Sequence, residues 1–201
     1  MTTSVSQRYR WLLHVDLDQF QVSVERLRSP ELVGVPVIVG GNGDPTEARK
    51  VVTCASYEAR DVGVRAGMPL RAAYKKLPDA VYLPPWTWGV RRRVGPTSWT
   101  CCARRDTPPV EVWGWDEAYL GVSVRGAEVD PFDDDAVVDL AERIRRDIFD
   151  GCGLTSCVGI SDNKQRAKMA TGFAKRRPVP CPTPGSTRRA CSCSTTGTGW
   201  T

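Results

Sequence analysis

Residues 11–17, WLLHVDL, confine the fold more than any other stretch of the chain. A nearly apolar heptad reads as a buried strand, and a strand sends successive side chains to opposite faces. Asp16 and Asp18 therefore point the same way, two like charges at the end of an element that needs burial. One reading buries Asp16 and lets Asp18 cap the helix that follows. The other has a carboxylate at the strand end holding something positive.

Bulk properties narrow the field. At 201 residues the chain can bury one sizeable core, or one core with a small appended lobe. A net charge of +5 admits a polyanionic partner without requiring one. No run approaches the roughly 18 apolar residues of a membrane span. The start, MTTSVSQRYRWLLHV, lacks the apolar core and cleavage site of a signal peptide. The expectation is a cytoplasmic chain with no membrane partner, its eight cysteines reduced. No C-x-x-C pair occurs and His14 is the only histidine, so no zinc site is expected.

The order of elements follows from periodicity. Residues 1–10 read as a flexible N-terminus, 11–17 as a strand, 18–28 as a helix and VPVIVGG (35–41) as a second strand. VVTCASY (51–57) leads into a short YEARDVG helix that stops at Gly63. A further helix starts at Pro69, its apolar residues Leu70, Ala73, Tyr74 and Leu77 following the i, i+3, i+4, i+7 pattern until Pro78. VEVWGW (110–115) and AYLGVSV (118–124) flank Asp116–Glu117 and predict an antiparallel hairpin. DPFDDDAVVDLAERIRRDIF predicts an amphipathic helix with Val137, Leu140, Ala141, Ile144 and Ile148 on one face. LTSCVGI (154–160) is a strand and NKQRAKMATGFAKR a last helix. Without 42–109 the order approaches a split βαβ, ferredoxin-like arrangement. The fold class is thus α+β, an antiparallel-containing sheet with helices on one face and a small inserted lobe.

A second acidic cluster, WDEAYL, places Asp116 beside Glu117. Adjacent strand residues face opposite ways, so the two can converge only where the hairpin bends, or through the longer reach of Glu. Solvated turn residues are the simple explanation. Beside a strand-borne Asp16, however, they make three carboxylates in one sheet. Mg²⁺ is held by few carboxylates plus substrate phosphates, and two ions roughly 4 Å apart clamp in-line phosphoryl transfer. Such a partner needs cations. Lys164, Lys168 and Lys175 are spaced i, i+4, i+11, within about 40° of one helix face. Tyr57 and Arg60 share a face at i and i+3. Each alone would be an ordinary solvated surface; with three acids they match nucleotidyl transfer.

HVDLDQF, SYEARDVGVRAGMPL, LPDAVYLP, WDEAYL and VGISDNKQRAKMATGFAK resemble, in order and spacing, the palm and fingers of Y-family translesion DNA polymerases, the bacterial DNA polymerase IV type in particular. The resemblance covers about 11–83 and 110–175. It divides the chain into palm (11–41 and 110–175) and fingers (42–83). It implies that Asp16, the backbone carbonyl of Leu17, Asp116 and Glu117 hold two Mg²⁺ ions. Tyr57, Arg60 and Lys168 would grip the incoming deoxynucleoside triphosphate, and Gly63 and Gly67 would keep the fingers open near a damaged template. The opening question is answered in favour of Asp16 as a metal ligand, with Asp18 supporting the turn and cap. Primer–template DNA is the implied macromolecular partner, and repair or damage tolerance the role.

Two departures stand out. The family usually has Phe or Tyr five residues after the first catalytic Asp, where the ring blocks a ribose 2′-hydroxyl; here the position is Gln21. Read as more than an exposed helix residue, Gln21 implies poor exclusion of ribonucleotides. The family's thumb and little finger would follow residue 175, where 26 residues remain. Without them most phosphate-backbone contacts are lost, so the chain is expected to be weakly active or inert. A sliding clamp would bind only longer relatives.

Two windows lack helical period. Residues 84–109 hold five prolines, three tryptophans and one acid where the resemblance expects an amphipathic helix of about that length. Trp99–Cys102 back-translates to TGG ACN TGY TGY, and one base earlier this reads NTG GAC NTG YTG, an Asp among Leu, Met or Val. Trp86–Gly89 behaves alike. A reading-frame disruption is expected there, against a genuine Trp/Pro-rich loop. Residues 176–201 have a similar composition and are expected to be disordered. Two alternatives remain: a non-catalytic fragment that binds DNA weakly, and a nucleotide cyclase using a similar palm, which the YEAR and NKQRAKMA motifs disfavour.

Overall fold

A computed structural model of the chain describes residues 11–85, 110–122, 134–175 and 190–192. In the first half the elements are β1 (Trp11–Leu17), α1 (Phe20–Arg28), a 3-10 turn (Pro30–Leu32), β2 (Val37–Gly40), β3 (Val52–Ala55), α2 (Tyr57–Asp61), α3 (Leu70–Lys76) and β4 (Val81–Leu83). In the second half they are β5 (Val110–Trp113), β6 (Glu117–Val122), α4 (Asp134–Cys152), β7 (Ser156–Ser161), α5 (Lys164–Ala174) and β8 (Ala190–Ser192). The fold is mixed α+β, as the periodicities indicated. The chain divides into two compact units, Met1–Asp18 with Val94–Thr201, and Gln19–Arg93.

The first unit is a five-stranded sheet in the order β5-β6-β1-β7-β8. Strand β1 is central and runs antiparallel to both β6 and β7. Its Leu12, Leu13, Val15 and Leu17 are all buried, so both faces of the strand are covered. The stripe Val137, Leu140, Ala141, Ile144 and Ile148 of α4 is buried as its spacing required, and the helix packs on β7. Helix α5 lies on β7 and β1 through small residues, Ala167, Ala170 and Thr171. Gly159 permits this approach. A Cβ there would sit 2.1 Å from the Ala167 carbonyl oxygen and 2.5 Å from the Thr171 nitrogen.

The second unit is a three-stranded sheet, β3-β2-β4. Every residue of β2 is buried. Val37 and Val39 pack with Val22 of α1, while Ile38 joins Ala59, Val64, Leu70 and Ala73 from α2, α3 and the turn between them. Helices thus cover both faces, and the β2 sequence is correspondingly apolar without alternation.

Three expectations need correction. Residues 35–41 do not join the sheet of β1. Val37–Gly40 pairs antiparallel with β3 and parallel with β4, which satisfies both of its edges inside the second unit. Helix α1 begins at Phe20, and its N-cap is Gln19 rather than Asp18. Lastly, the C-terminal stretch is not wholly without structure, since Ala190–Ser192 pairs in parallel with Val158–Ile160. Backbone pairing at a sheet edge needs no apolar side chains, which is why composition misses it. The other expectations for 84–109 and 176–201, from residue 86 in the first window, fall outside the described residues, as does the flexible start at 1–10.

Candidate active site

The site grows from the pairing of β1 with β6. Asp16 lies opposite Glu117, and His14 opposite Tyr119. Asp116 is the last residue of the turn before β6, entered through Gly114 at φ 82°. The turn is tied to β1 by the Leu17 N–H, which donates to the Asp116 carbonyl at 2.9 Å. Neighbouring acids converge because the bend suspends the alternation of a strand.

Their electrostatics record the crowding. Burial pushes Asp16 up from its ordinary 3.8 to about 6; Lys175 opposes that rise, while the charges of Asp116 and Glu117 add to it. Asp116 is raised by burial and by the Glu117 charge. Burial would raise Glu117 as well, but hydrogen bonds from Lys168 and His14 outweigh it and hold that carboxyl below its usual range. The three acids therefore share one electrostatic field.

Helix α5 answers with a ladder of lysines. Lys164 Nζ donates to Glu111 Oε1 at 2.7 Å, Lys168 Nζ to Glu117 Oε2 at 2.6 Å and Lys175 Nζ to Asp16 Oδ1 at 2.5 Å. The i, i+4, i+11 spacing has a purpose on the page: each lysine reaches a different strand, β5, β6 and β1. Lys164 also lies 5.3 Å and 5.4 Å from the ring centroids of Trp113 and Tyr119. The spacing alone puts Lys175 on the basic face and does not name Asp16 as its partner. Its place seven residues after Lys168, two helical turns on, was the available signal.

Sequence reasoning gave His14 no part beyond excluding zinc. It is fully buried. Its Nδ1 is 2.9 Å from Thr171 Oγ1 and its Nε2 3.3 Å from Glu117 Oε2, and its ring packs on Tyr119 at 4.7 Å. The signal was its position two residues before Asp16, on the same face of the strand. Asp18 is reached by the Cys157 thiol, which donates to Oδ1 at 3.2 Å; burial, then the Asp18 charge, pushes that thiol far up.

The remaining predicted residues belong to the second unit. Ser56 caps α2, accepting the Ala59 N–H, so Tyr57 opens the helix. The Tyr57 N–H donates to Gln19 Oε1 at 2.9 Å, holding Gln19 in a left-handed conformation at φ 38°. Arg60 stacks 5.2 Å from the Tyr57 ring centroid and donates from Nε to the Ala55 carbonyl at 2.8 Å, confirming their common face. Gln21 accepts the Thr53 hydroxyl at 2.7 Å. Gly63 and Gly67 have φ of 87° and 85°. A Cβ at Gly67 would meet nothing within 4 Å, so backbone conformation rather than crowding calls for glycine there.

The donor set suits a hard cation. Asp16, Asp116 and Glu117 offer only oxygen, and two of them are held above their normal pKa by burial, a penalty that a nearby positive charge relieves. Among the described residues no three acidic, His or Cys side chains are already gathered as a metal cage. Asp16 and Glu117 are turned instead onto the ammonium groups of Lys175 and Lys168.

Comparison with known proteins supplies the family. The chain is 57% identical over 173 residues to DNA polymerase IV 2 of Mycobacterium tuberculosis, which covers 83% of this chain and 45% of that relative. Among solved structures, DinB from Sulfolobus solfataricus matches with a TM-score of 0.67 at 29% identity, over 81% of this chain and 45% of that one. An insertion ternary complex of Dbh DNA polymerase matches with a TM-score of 0.71 at 26% identity, over 92% and 49%. The chain thus spans under half the length of these relatives. The family model described as impB/mucB/samB matches residues 15–172, from the strand that bears Asp16 through the helix that bears Lys168. With that match the chain belongs to the impB/mucB/samB family, the Y-family polymerase domain that its five motifs resemble.

Proposed function

We propose that the chain carries the catalytic part of a DNA-directed DNA polymerase of the translesion type, adding deoxynucleotides to a primer 3′-end in the cytoplasm during repair or damage tolerance. One arrangement supports the reading above all: Asp16, Asp116 and Glu117 share one electrostatic field on two paired strands and the turn between β5 and β6, faced by Lys168 of α5 and Lys175 at its C-cap.

In this reading Asp16, the Leu17 carbonyl, Asp116 and Glu117 hold two Mg²⁺ ions, which when bound would neutralise phosphate charge and lower the pKa of the attacking hydroxyl. Lys168, already 52% exposed at its side chain, swings from Glu117 to the triphosphate. Tyr57 and Arg60 add a ring and a cation on the same substrate, and the Arg60 contact to the Ala55 carbonyl fixes the root of its guanidinium. Gln21 takes the place next to the sugar, and Gly63 and Gly67 the place near the template. Primer–template DNA and deoxynucleoside triphosphates are the substrates; a sliding clamp is a partner for longer relatives.

A second reading, a fragment that binds DNA weakly without catalysis, is favoured by the Lys168–Glu117 and Lys175–Asp16 pairs, which neutralise two of the carboxylates without a metal. One experiment separates the two. Primer extension with Mg²⁺ should exceed that of an Asp116→Ala control if the chain is catalytic. Equal extension by both, over a full range of Mg²⁺, would leave the fragment reading standing.

A further inference from the structure

The two contacts on Glu117 differ in kind. Lys168 is half-exposed, whereas His14 is fully enclosed in β1. Both reach Oε2 of Glu117, at 2.6 Å and 3.3 Å, and neither takes Oε1. If Lys168 leaves for a triphosphate, as the proposed function requires, His14 is the tie that stays. It can serve only if Nε2 carries a proton, because a bare Nε2 would set its lone pair against a carboxylate oxygen.

The other end of the ring shows how that proton is kept in place. Thr171 Oγ1 lies 2.9 Å from Nδ1, 3.1 Å from the His14 carbonyl and 3.0 Å from the Ala167 carbonyl. With the imidazole neutral, the hydroxyl donates its one hydrogen to Nδ1, and Nε2–H is left for Glu117. With both ring nitrogens protonated, Nδ1–H donates to the hydroxyl, which then donates to a carbonyl. Nε2–H faces Glu117 in either state. Only a neutral ring protonated at Nδ1 would break the contact, and it would bring two acceptors together. The ring also packs against Tyr119, its cross-strand partner, with centroids 4.7 Å apart and planes tilted by 52°. Gly159, opposite His14 on β7, lets α5 come close enough for Thr171 to reach the ring.

We infer that His14 is a positioning residue: its Nε2–H, with Nδ1 served by the Thr171 hydroxyl, holds Glu117 by Oε2 and leaves Oε1 to the carboxylate cluster when Lys168 is engaged elsewhere. Thr171 and Lys168 stand three residues apart on α5, so one helix supplies both the lasting and the releasable support of the same carboxylate. This inference rests on the proposed metal role of Glu117, but the contact itself can be tested without it.

His14 is the only histidine, so a chain purified without a histidine tag and labelled with ¹⁵N-imidazole gives one unambiguous set of ring resonances. Nitrogen–proton correlations should show Nε2 protonated, with Nδ1 changing environment in Thr171→Val and recovering in Thr171→Ser. A neutral ring protonated at Nδ1 overturns the inference. Mg²⁺ affinity by calorimetry is the second readout. His14→Phe should weaken it about 10-fold, and His14→Gln, whose amide can still donate from the Nε2 position, should recover part of the loss. Unchanged affinity in a folded His14→Phe chain would overturn the positioning role. If the unsubstituted chain binds no Mg²⁺, the metal reading and the positioning role fall together; the ring resonances still decide whether His14 holds Glu117.

Discussion

Two partly buried charge sites, one in each unit, are held in opposite ways. In the Gln19–Arg93 unit, Arg26 and Glu58 are tied off against backbone and each other. Arg26 donates to both oxygens of Glu58 at 3.0 Å and to the carbonyls of Leu32 and Val35, stapling the turn that follows α1. Burial would raise Glu58, but hydrogen bonds from its own N–H, Ser56 and Arg26 outweigh it and hold the carboxyl low. In the sheet of β1, burial wins at Asp16 and Asp116 despite their lysines. Charge that is satisfied builds a scaffold; charge held against its own preference marks a place where a ligand has something to offer.

The largest effect expected from this contrast is on activity. Asp16→Asn keeps the shape and hydrogen-bonding oxygen but removes the charge. Primer extension should fall on the order of 10³-fold, while the thermal midpoint holds or rises. Arg26→Met should do the reverse, lowering the midpoint by leaving Glu58 and two carbonyls short of a donor, at about 2 kcal/mol. If Asp16→Asn lowers the midpoint, or leaves extension intact, the contrast is wrong.

A second test compares glycines. Gly159→Ala drives a methyl into the backbone of α5 and should destabilise the first unit by about 3 kcal/mol, read as a drop in the urea midpoint. Gly67→Ala in the second unit meets open space and pays only the left-handed backbone penalty, about 1 kcal/mol. Equal losses would mean that α5 does not need its close seat on β7.

Acid should separate the units too. The Asp16 carboxyl has a folded pKa near 6 against an ordinary 3.8, so the native state binds the extra proton first and stability rises as pH falls through 6. The full effect, reached below 3.8, corresponds to about 3 kcal/mol. Glu58 is held low, so its contribution is present above the usual Glu range and fades as pH falls. In metal-free buffer between about pH 7 and pH 5, the Asp16 gain is opposed in the same unit by His14, whose pKa burial lowers, so the test is the difference between wild type and Asp16→Asn. Wild type should gain stability relative to Asp16→Asn as pH falls through that range. A wild-type curve that matches the variant would show that Asp16 is not held against its preference.

Much of this was legible in the sequence, for identifiable reasons. The strand WLLHVDL, the stripe of α4 and the lysine spacing of α5 are local patterns, and each occupies the element its period implies. What periodicity could not supply was partnership. Nothing in VPVIVGG tells whether its two buried faces belong to the sheet of β1 or to another, because an all-apolar strand fits any interior. The pairing of Lys175 with Asp16 spans most of the chain, and the role of His14 depends on Thr171 arriving over Gly159. Such contacts are set by tertiary packing, which spacing within one segment does not encode.

The smallest effect concerns Gln21, where the second unit departs from the family's aromatic residue. The side chain is anchored, since its amide oxygen accepts the Thr53 hydroxyl, which also reaches the Val39 carbonyl at 3.0 Å. Gln21→Phe forfeits that bond, at about 1 kcal/mol of stability, and adds a ring where a ribose 2′-hydroxyl would lie in the proposed substrate pose. The ratio of ribonucleotide to deoxynucleotide incorporation should then fall about 10-fold or more. Thr53→Val, which frees Gln21 without adding bulk, should leave that ratio nearly unchanged. If Gln21→Phe does not alter the ratio, the side chain at 21 does not face the sugar, and the second unit contributes scaffold alone at this position. If Thr53→Val shifts it as strongly, anchoring rather than bulk sets the discrimination, and the division between satisfied and functional polar groups fails at this one residue.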